Sequence, residues 1–307
     1  MRERLSFLEL CRRSDMAAQV TVDTARHLGV DAAIIFADIL LPLIPMGVGL
    51  HFEKGDGPRL ERPIRGIADI ERLRPADIGE SLSFVAETIR LVRAELAHRL
   101  PVIGFAGAPF TVASYAIEGG ASRTYAMTKT LMRREPETWR RLMTLIADIT
   151  AQYLNMQIDA GVHVVQLFDS WAGCLSPDDY RRFVLPYTRR VIGSLRLGIP
   201  VIHFGTMTGG LLELMRDAGG DVIGIDWRVD LDAAWDRLGD GVGIQGNLDP
   251  ALLLSGIPEI RRAVRDLLGR AANRPGHIFN LGHGVLPETP VDHVIALIDA
   301  VHELSRR

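Results

Sequence analysis

The stretch Ala32–Leu41, with the sequence AAIIFADILL, contains the feature that decides the fold of this chain. Its first part, Ala32–Ala37, is a short and wholly apolar run, as expected for a parallel β-strand buried on both faces. The run ends at Asp38, and a polar residue at the C-terminal end of a strand in a parallel barrel faces the site rather than the core. Asp38 could instead cap a helix, because apolar residues follow it. We interpret Asp38 as a candidate site residue.

The composition is that of a soluble globular protein, with 307 residues, 47% hydrophobic and 24% charged. The net charge of -3 gives no indication of nucleic acid or an anionic membrane as a partner. The longest apolar run is interrupted by Asp38, Pro42 and Pro45, so no membrane span is predicted. Of the 35 basic residues only Lys54 and Lys129 are lysines, which reflects either coding bias or arginine forks for substrate carboxylates.

The N-terminus and the cysteines indicate the compartment. Met1–Arg13 is charged and lacks the apolar centre of a signal peptide. Cys11 and Cys174 are far apart and fit no metal-binding spacing. This pattern is typical of a reducing compartment, and we predict a cytoplasmic protein.

Strand-like and helix-like segments alternate without a break in composition, which predicts one α/β domain over residues 1–307. The predicted strands are Ala32–Ala37, Pro101–Ala106, Val164–Phe168, Pro200–Phe204, Val222–Ile225, Val242–Gln245 and His277–Leu281. The closed form of this architecture, the (β/α)8 TIM barrel, has eight strands. We therefore predict a TIM barrel whose first strand is missing from this chain and precedes Met1.

Polar residues follow most of these strands, as in the active sites of such barrels. They are Asp38, Tyr115, Asp169, Ser170, His203, Asp226, Gln245, Asn247 and His283. Ser170 could alternatively cap the helix near Ser176, and we interpret Asp226 and Asp249 as helix caps. His203 could be a core histidine, and Tyr115 could pack within a polar-aromatic turn. His283 lies between two glycines, where neither a cap nor a core role requires a histidine.

Several common signatures are missing from the sequence. No glycine-rich phosphate-binding pattern follows a strand, no His/Cys/Asp cluster has metal spacing, and no lysine lies at a strand end. The sequence therefore predicts a site without a cofactor or a metal, with an aspartate at its centre.

Seven motifs together resemble the uroporphyrinogen III decarboxylase family. They are IIFADILL (Ile34–Leu41), IGFAGAPFT (Ile103–Thr111), YAIEGG (Tyr115–Gly120), QLFDSWAG (Gln166–Gly173), GIDW (Gly224–Trp227), QGNLDP (Gln245–Pro250) and NLGHGVLP (Asn280–Pro287). The resemblance implies a (β/α)8 barrel, a homodimer, and neither cofactor nor metal. It also implies the reaction, in which four acetate side chains of a tetrapyrrole become methyls and coproporphyrinogen III is formed for haem synthesis.

By position, Asp38 matches the aspartate that holds the pyrrole N–H groups and stabilises the developing charge. Tyr115, Ser170 and His283 match the substrate-binding tyrosine, hydroxyl and histidine of the family, and Arg2 matches a further arginine. The family also has a first strand followed by Arg-Gln-Ala-Gly-Arg-Tyr, which would lie upstream of this sequence. We expect the reading frame upstream of Met1 to encode that strand and motif.

Two rival functions are compatible with the same barrel. A corrinoid-dependent methyltransferase would need zinc held by a His-x-Cys pair, but His203 is followed at the second position by Gly205. A non-catalytic tetrapyrrole-binding protein would retain the substrate-binding residues without turnover.

Overall fold

The protein is described by a computed structural model that covers residues 5–53, 57–73, 77–97 and 99–305. Within these ranges, one parallel sheet has seven strands, and a separate hairpin has two antiparallel strands. The strands are β1 (Ala33–Ile34), β2 (Leu50–Glu53), β3 (Gly57–Leu60), β4 (Val102–Gly107), β5 (Val164–Asp169), β6 (Val201–Gly205), β7 (Val222–Gly224), β8 (Gly243–Leu248) and β9 (His277–Leu281). The sheet order is β1-β4-β5-β6-β7-β8-β9, which is that of a parallel α/β barrel. The predicted α/β class and seven barrel strands are confirmed.

Helices connect the successive strands of the sheet. They are α1 (Phe7–Arg12), α2 (Ser14–Leu28), α3 (Ile67–Glu71), α4 (Ile78–Ser81), α5 (Ser83–Glu95), α6 (Pro109–Glu118), α7 (Ala126–Arg134), α8 (Pro136–Ala160), α9 (Pro177–Phe183), α10 (Leu185–Gly193), α11 (Leu212–Ala218), α12 (Leu231–Leu238), α13 (Ile257–Ala271) and α14 (Val291–Leu304). Among the helices of the described ranges, none has the length and apolar character needed to cross a membrane.

The helix α8 shows how the local sequence determines these elements. Pro136 occupies its first turn, where no backbone N–H is needed, and Gly161 ends it in the left-handed conformation with φ 106°. Its apolar stripe is buried against β4 and β5. The indole N–H of Trp139 donates to the carbonyl of Phe183 at 3.0 Å, so this buried side chain also fixes α9.

The strand register brings the carboxyl ends of the sheet to one edge. Gly107 lies beside Phe168, Asp169 beside Gly205, and Leu248 beside Leu281. Residues that follow these strands therefore meet on the same face of the protein, where parallel barrels place their active sites.

The two outer strands each leave one edge unpaired in the described part of the sheet. Ile34 on β1 is 45% exposed and Ile278 on β9 is 40% exposed, although strands inside a barrel are covered on both faces. The two ends of the sheet are nevertheless linked, because His302 on α14 contacts the carboxylate of Asp31, just before β1, at 3.0 Å. Over the described residues the sheet is thus a curled, incompletely closed barrel with a gap between β1 and β9.

The strand predicted at Ala32–Ala37 is shorter than expected. Regular pairing in β1 ends at Ile34, and the backbone N–H of Ile35 still donates to Ile103 at 3.1 Å. The next N–H, that of Phe36, instead donates to the hydroxyl of Thr21 on α2 at 3.0 Å. The segment that carries Asp38 is therefore an irregular loop held by α2 rather than the tip of a strand.

Candidate active site

Asp38 lies in the loop after β1, at the carboxyl edge of the sheet. Its Oδ1 accepts a hydrogen bond from the backbone N–H of Leu40 at 2.7 Å. Burial raises the pKa of Asp38 to about 6, and the Leu40 hydrogen bond offsets this only in part. The neighbouring Ile39 holds the loop against β4, since a Cβ on Gly107 would lie 3.2 Å from the Ile39 Cβ. The result is a half-buried carboxylate whose pKa lies close to neutral pH.

Tyr115 lies on a helix, so the predicted polar-aromatic turn is wrong. The helix α6 begins directly after β4 with Pro109 in its first turn and ends at Gly119, whose φ is 84°. Burial, together with the charge of Asp38, raises the pKa of Tyr115 to about 12. Tyr115 is therefore a neutral hydrogen-bond donor at physiological pH, within electrostatic reach of Asp38.

The loop after β5 contacts Tyr115. The ring of Trp171 stacks on Tyr115 with a centroid separation of 3.8 Å and an interplanar angle of 29°. Ser170 directly precedes Trp171 and is half-buried. The alternative role of Ser170 as a helix cap is taken by Ser176, whose hydroxyl accepts from the backbone N–H of Asp179. The cap role is therefore excluded for Ser170, and its role in the site stays a prediction.

His283 is separate from Asp38, Tyr115 and Ser170. It follows β9 at the other edge of the sheet, is exposed, and accepts at Nδ1 from the backbone N–H of Gly284 at 2.8 Å. Its loop touches the loop after β7, because a Cβ on Gly282 would lie 2.5 Å from the backbone N of Trp227. His283 therefore borders the same face of the protein from across the gap, while Arg2 lies outside the described residues.

The remaining strand-end residues have structural partners. His203 is fully buried, with Nδ1 3.3 Å from the carbonyl of Met215, as a core histidine would be. Asp249 is a cap, since its side chain accepts from the backbone N–H of Ala251. Asp226 is not a cap, so that interpretation is wrong: its carboxylate accepts from the backbone N–H of Met207 at 2.7 Å and pairs with Arg228. It ties the loop after β6 to the loop after β7.

Sequence reasoning missed three residues next to the candidate site. Trp171 stacks on Tyr115, and the hydroxyls of Thr111 and Tyr180 lie 3.1 Å and 3.5 Å from the Asp169 carboxylate. Trp171 was part of a recognised motif, and only its stacking on Tyr115 reveals its role. Thr111 lies four residues before Tyr115, and helical periodicity places both on one face of α6. Tyr180 carried no signal in the sequence.

No group of three or more His, Cys, Asp or Glu side chains within the described ranges could hold a metal ion. At the position where a methyltransferase would carry its His-x-Cys ligands, the His203 ring is buried against Met215. The residue two positions later is Gly205, which has no side chain to offer a metal.

Gly173 marks a close contact between the loops after β5 and β6. A Cβ on this residue would lie 2.3 Å from the Thr206 carbonyl oxygen and 2.5 Å from the Met207 Cβ. Because both atoms belong to or adjoin the backbone, we expect Gly173→Ala to displace the loop and lower the free energy of unfolding by about 1–3 kcal/mol. Gly193→Ala is the matched control, since a Cβ there meets nothing within 4 Å. Urea unfolding measures both variants, and equal midpoints would contradict the prediction.

The fold is that of the parallel α/β barrel enzymes, with a half-buried acidic and aromatic cluster at the carboxyl edge of the sheet. The family described as "Uroporphyrinogen decarboxylase (URO-D)" matches residues 1–304. The chain belongs to the uroporphyrinogen decarboxylase family.

Two relatives named uroporphyrinogen decarboxylase illustrate the similarity. The protein from Carboxydothermus hydrogenoformans is 51% identical over 306 residues, covering 99% of this chain and 87% of that protein. The protein from Sorangium cellulosum is 52% identical over 307 residues, covering 100% of this chain and 88% of that protein.

Two solved structures share the fold at low sequence identity. A methyltransferase from Methanosarcina mazei has a TM-score of 0.84 and 19% identity, covering 98% of this chain and 88% of its own. A putative vitamin-B12 independent methionine synthase from Listeria monocytogenes has a TM-score of 0.64 and 10% identity. The match covers 100% of this chain and 92% of that protein. At these identities the similarity concerns the fold alone.

Proposed function

We propose that this chain catalyses the decarboxylation of uroporphyrinogen III. The four acetate side chains become methyls, and the product, coproporphyrinogen III, serves porphyrin and haem biosynthesis. The observation that supports the proposal is the family match over residues 1–304, together with relatives named uroporphyrinogen decarboxylase that are 51% and 52% identical in sequence. The reaction needs neither a cofactor nor a metal in this proposal, because the substrate ring can hold the electrons itself.

The chemistry starts with a proton added to a carbon of the pyrrole ring, which becomes cationic. The bond between the acetate methylene and its carboxylate then breaks, carbon dioxide leaves, and the electron pair enters the ring and neutralises the cation. A second proton converts the exocyclic methylene to a methyl as the ring proton is released. Each acetate thereby loses one carboxylate and gains one proton.

Asp38 is the catalytic residue in this scheme. A carboxylate fixed in a partly dry site stabilises the positive ring more strongly than water does, because it need not reorient as the charge develops. Its backbone hydrogen bond to Leu40 uses Oδ1, and Oδ2 is the oxygen that would receive pyrrole N–H groups. With a pKa of about 6, Asp38 is mostly ionised at neutral pH.

The other predicted site residues bind the substrate in this proposal. Tyr115 and Ser170 donate hydrogen bonds to it, and Tyr115 stays neutral because its pKa is about 12. His283 reaches the substrate from the β9 side, and Arg2 holds a carboxylate through its guanidinium fork.

We further propose a cytoplasmic homodimer built from one domain per chain. Light scattering on the eluting peak of a gel-filtration column measures the mass directly. A mass of one chain at micromolar concentration would contradict the dimer.

The test of the function is anaerobic incubation of the purified protein with uroporphyrinogen III, followed by separation of products by their number of carboxylates. Porphyrinogens with seven down to four carboxylates are expected. Intact substrate that co-elutes with the protein would favour the tetrapyrrole-binding alternative. Stoichiometric zinc, measured by metal analysis, would favour the methyltransferase alternative.

The pH profile provides a more specific prediction. Since kcat/KM reports the ionisation of the free enzyme, its acid limb should fall off near pH 6, where Asp38 takes up its proton. A histidine is the usual alternative cause of such a limb. His283→Gln is therefore the control, and the limb should persist in that variant even if its rate is lower. Loss of the limb in His283→Gln would assign it to the histidine instead.

A further inference from the structure

A buried carboxylate lies next to the proposed substrate-binding serine in the chain. Asp169 is the last residue of β5 and immediately precedes Ser170, and its side chain is fully buried. A buried charge is costly unless hydrogen bonds and charged partners compensate for it. The partners of Asp169 therefore indicate what the protein uses this carboxylate for.

Three other elements converge on Asp169. The hydroxyl of Thr111 on α6 donates to Oδ1 at 3.1 Å, and the hydroxyl of Tyr180 on α9 approaches Oδ2 at 3.5 Å. His203 on β6 places its Nε2 3.8 Å from Oδ2. All three partners are buried, so the cluster has no direct access to substrate.

Thr111 links Asp169 to the loop after β5 through two hydrogen bonds. A hydroxyl has one proton, and that of Thr111 is given to Asp169. Its lone pair then accepts the backbone N–H of Trp171 at 3.3 Å. Asp169 thus orients the hydroxyl that holds the backbone just beyond Ser170, and Ser170 is fixed from both sides.

The same arrangement extends to Tyr115. Thr111 and Tyr115 are one turn apart on α6, and both contact the segment 169–171, one through a hydrogen bond and the other by stacking on Trp171. A change at Asp169 or Thr111 should therefore alter the relative position of Ser170, Trp171 and Tyr115.

We propose that Asp169 is a positioning residue, which acts through Thr111 to hold Ser170 and Tyr115 in their geometry for substrate. The inference rests on the proposed function for its kinetic part, while its structural part is independent of any substrate.

The primary test is Thr111→Val, because valine keeps the shape of threonine and removes only the hydroxyl. We expect kcat/KM to fall about 10-fold or more at a temperature where the variant is fully folded, and the near-ultraviolet circular dichroism of the Tyr115–Trp171 stack to change. Trp171→Phe assigns that spectroscopic signal. Thr111→Ser restores the hydroxyl and should recover both properties relative to Thr111→Val.

Thr88→Val is the matched control. Thr88 is also buried, but its hydroxyl donates only within α5, to the Phe84 carbonyl at 2.8 Å. This variant should lower stability slightly and leave kcat/KM and the spectrum unchanged. A Thr111→Val protein with the kcat/KM and spectrum of wild type would overturn the proposal.

Asp169→Asn tests the proposal even where Thr111→Val does not fold. The amide oxygen still accepts from Thr111, so more activity should remain than in Asp169→Ala. An equal loss in both variants would mean that the charge matters rather than the position, which would overturn the proposal. If wild type itself does not turn over uroporphyrinogen, the proposed function fails, and the change in circular dichroism still decides whether Asp169 and Thr111 position the stack.

Discussion

Replacing Asp38 with asparagine is expected to lower turnover of uroporphyrinogen by ~10²–10³-fold while the fold survives. The amide has the size of the carboxylate and can still accept the hydrogen bond from Leu40, but it cannot offset the positive charge that develops in the ring. Asp23→Asn, an exposed change on α2, is the matched control and should keep normal turnover. Near-normal turnover by Asp38→Asn would remove Asp38 from the centre of the mechanism.

The same substitution should make the protein more stable at neutral pH. The pKa of Asp38 is raised from 3.8 to about 6 on folding, chiefly by burial. Between these values the folded protein retains a proton that the unfolded chain has released, so stability falls as pH rises through this window. Above about pH 6 the full cost is present, on the order of 2–3 kcal/mol.

Asparagine has no charge to bury, so Asp38→Asn should unfold at higher urea concentration than wild type at about pH 8. The difference should shrink as pH falls and should be nearly absent at about pH 4. A difference that does not depend on pH would show that burial of the Asp38 charge is not its source.

The contrast between loss of activity and gain in stability matters for the interpretation. Replacing a residue that merely supports the fold would lower both the activity and the stability of the protein. Replacing a carboxylate that is kept in a costly environment for its charge should lower the activity and raise the stability. The direction of the change in urea unfolding distinguishes these two cases.

The sequence was sufficient where a local signal and the tertiary structure agree. The strand β9 has the predicted bounds of His277–Leu281, and α8 begins and ends where Pro136 and Gly161 require. Asp38 could be placed at the carboxyl edge of the sheet because a carboxylate that follows an apolar run is common there.

The sequence was not sufficient where the contacts join distant segments. The segment around Tyr115 was predicted to be a polar-aromatic turn, whereas Tyr115 lies on the helix that Pro109 opens. The hydrogen bonds of Asp169 to Thr111 and Tyr180 link three elements, and no periodicity or spacing records such a link. Asp226 was interpreted as a helix cap because nothing in the sequence reveals its true partner. Its carboxylate accepts the backbone N–H of Met207, which lies in the neighbouring loop.

The gap between β1 and β9 leads to the second large effect. A strand before α1, joined to β1 through α1 and α2, would by the right-handed crossover rule lie on the open side of β1, since β4 occupies the other side. That position also faces the free edge of β9, because the contact between His302 and Asp31 already brings the two ends of the sheet together. One strand there would close the barrel.

We predict that a chain extended by such a strand, as the family resemblance implies, is more stable by about 2–4 kcal/mol, through burial of apolar surface such as Ile34 and Ile278. Ile278→Lys makes the test specific. In the present sequence Ile278 is 40% exposed, and the substitution should cost about 1 kcal/mol or less.

In the extended chain both faces of β9 would be covered, and a buried unpaired lysine there should cost about 2–4 kcal/mol. Leu197→Lys, at a residue that is 100% exposed, should be neutral in both chains and controls for the added charge. Urea unfolding of the four variants and their two parents measures the coupling between Ile278 and the added strand. An equal cost of Ile278→Lys in both chains would mean that the added segment does not occupy the gap.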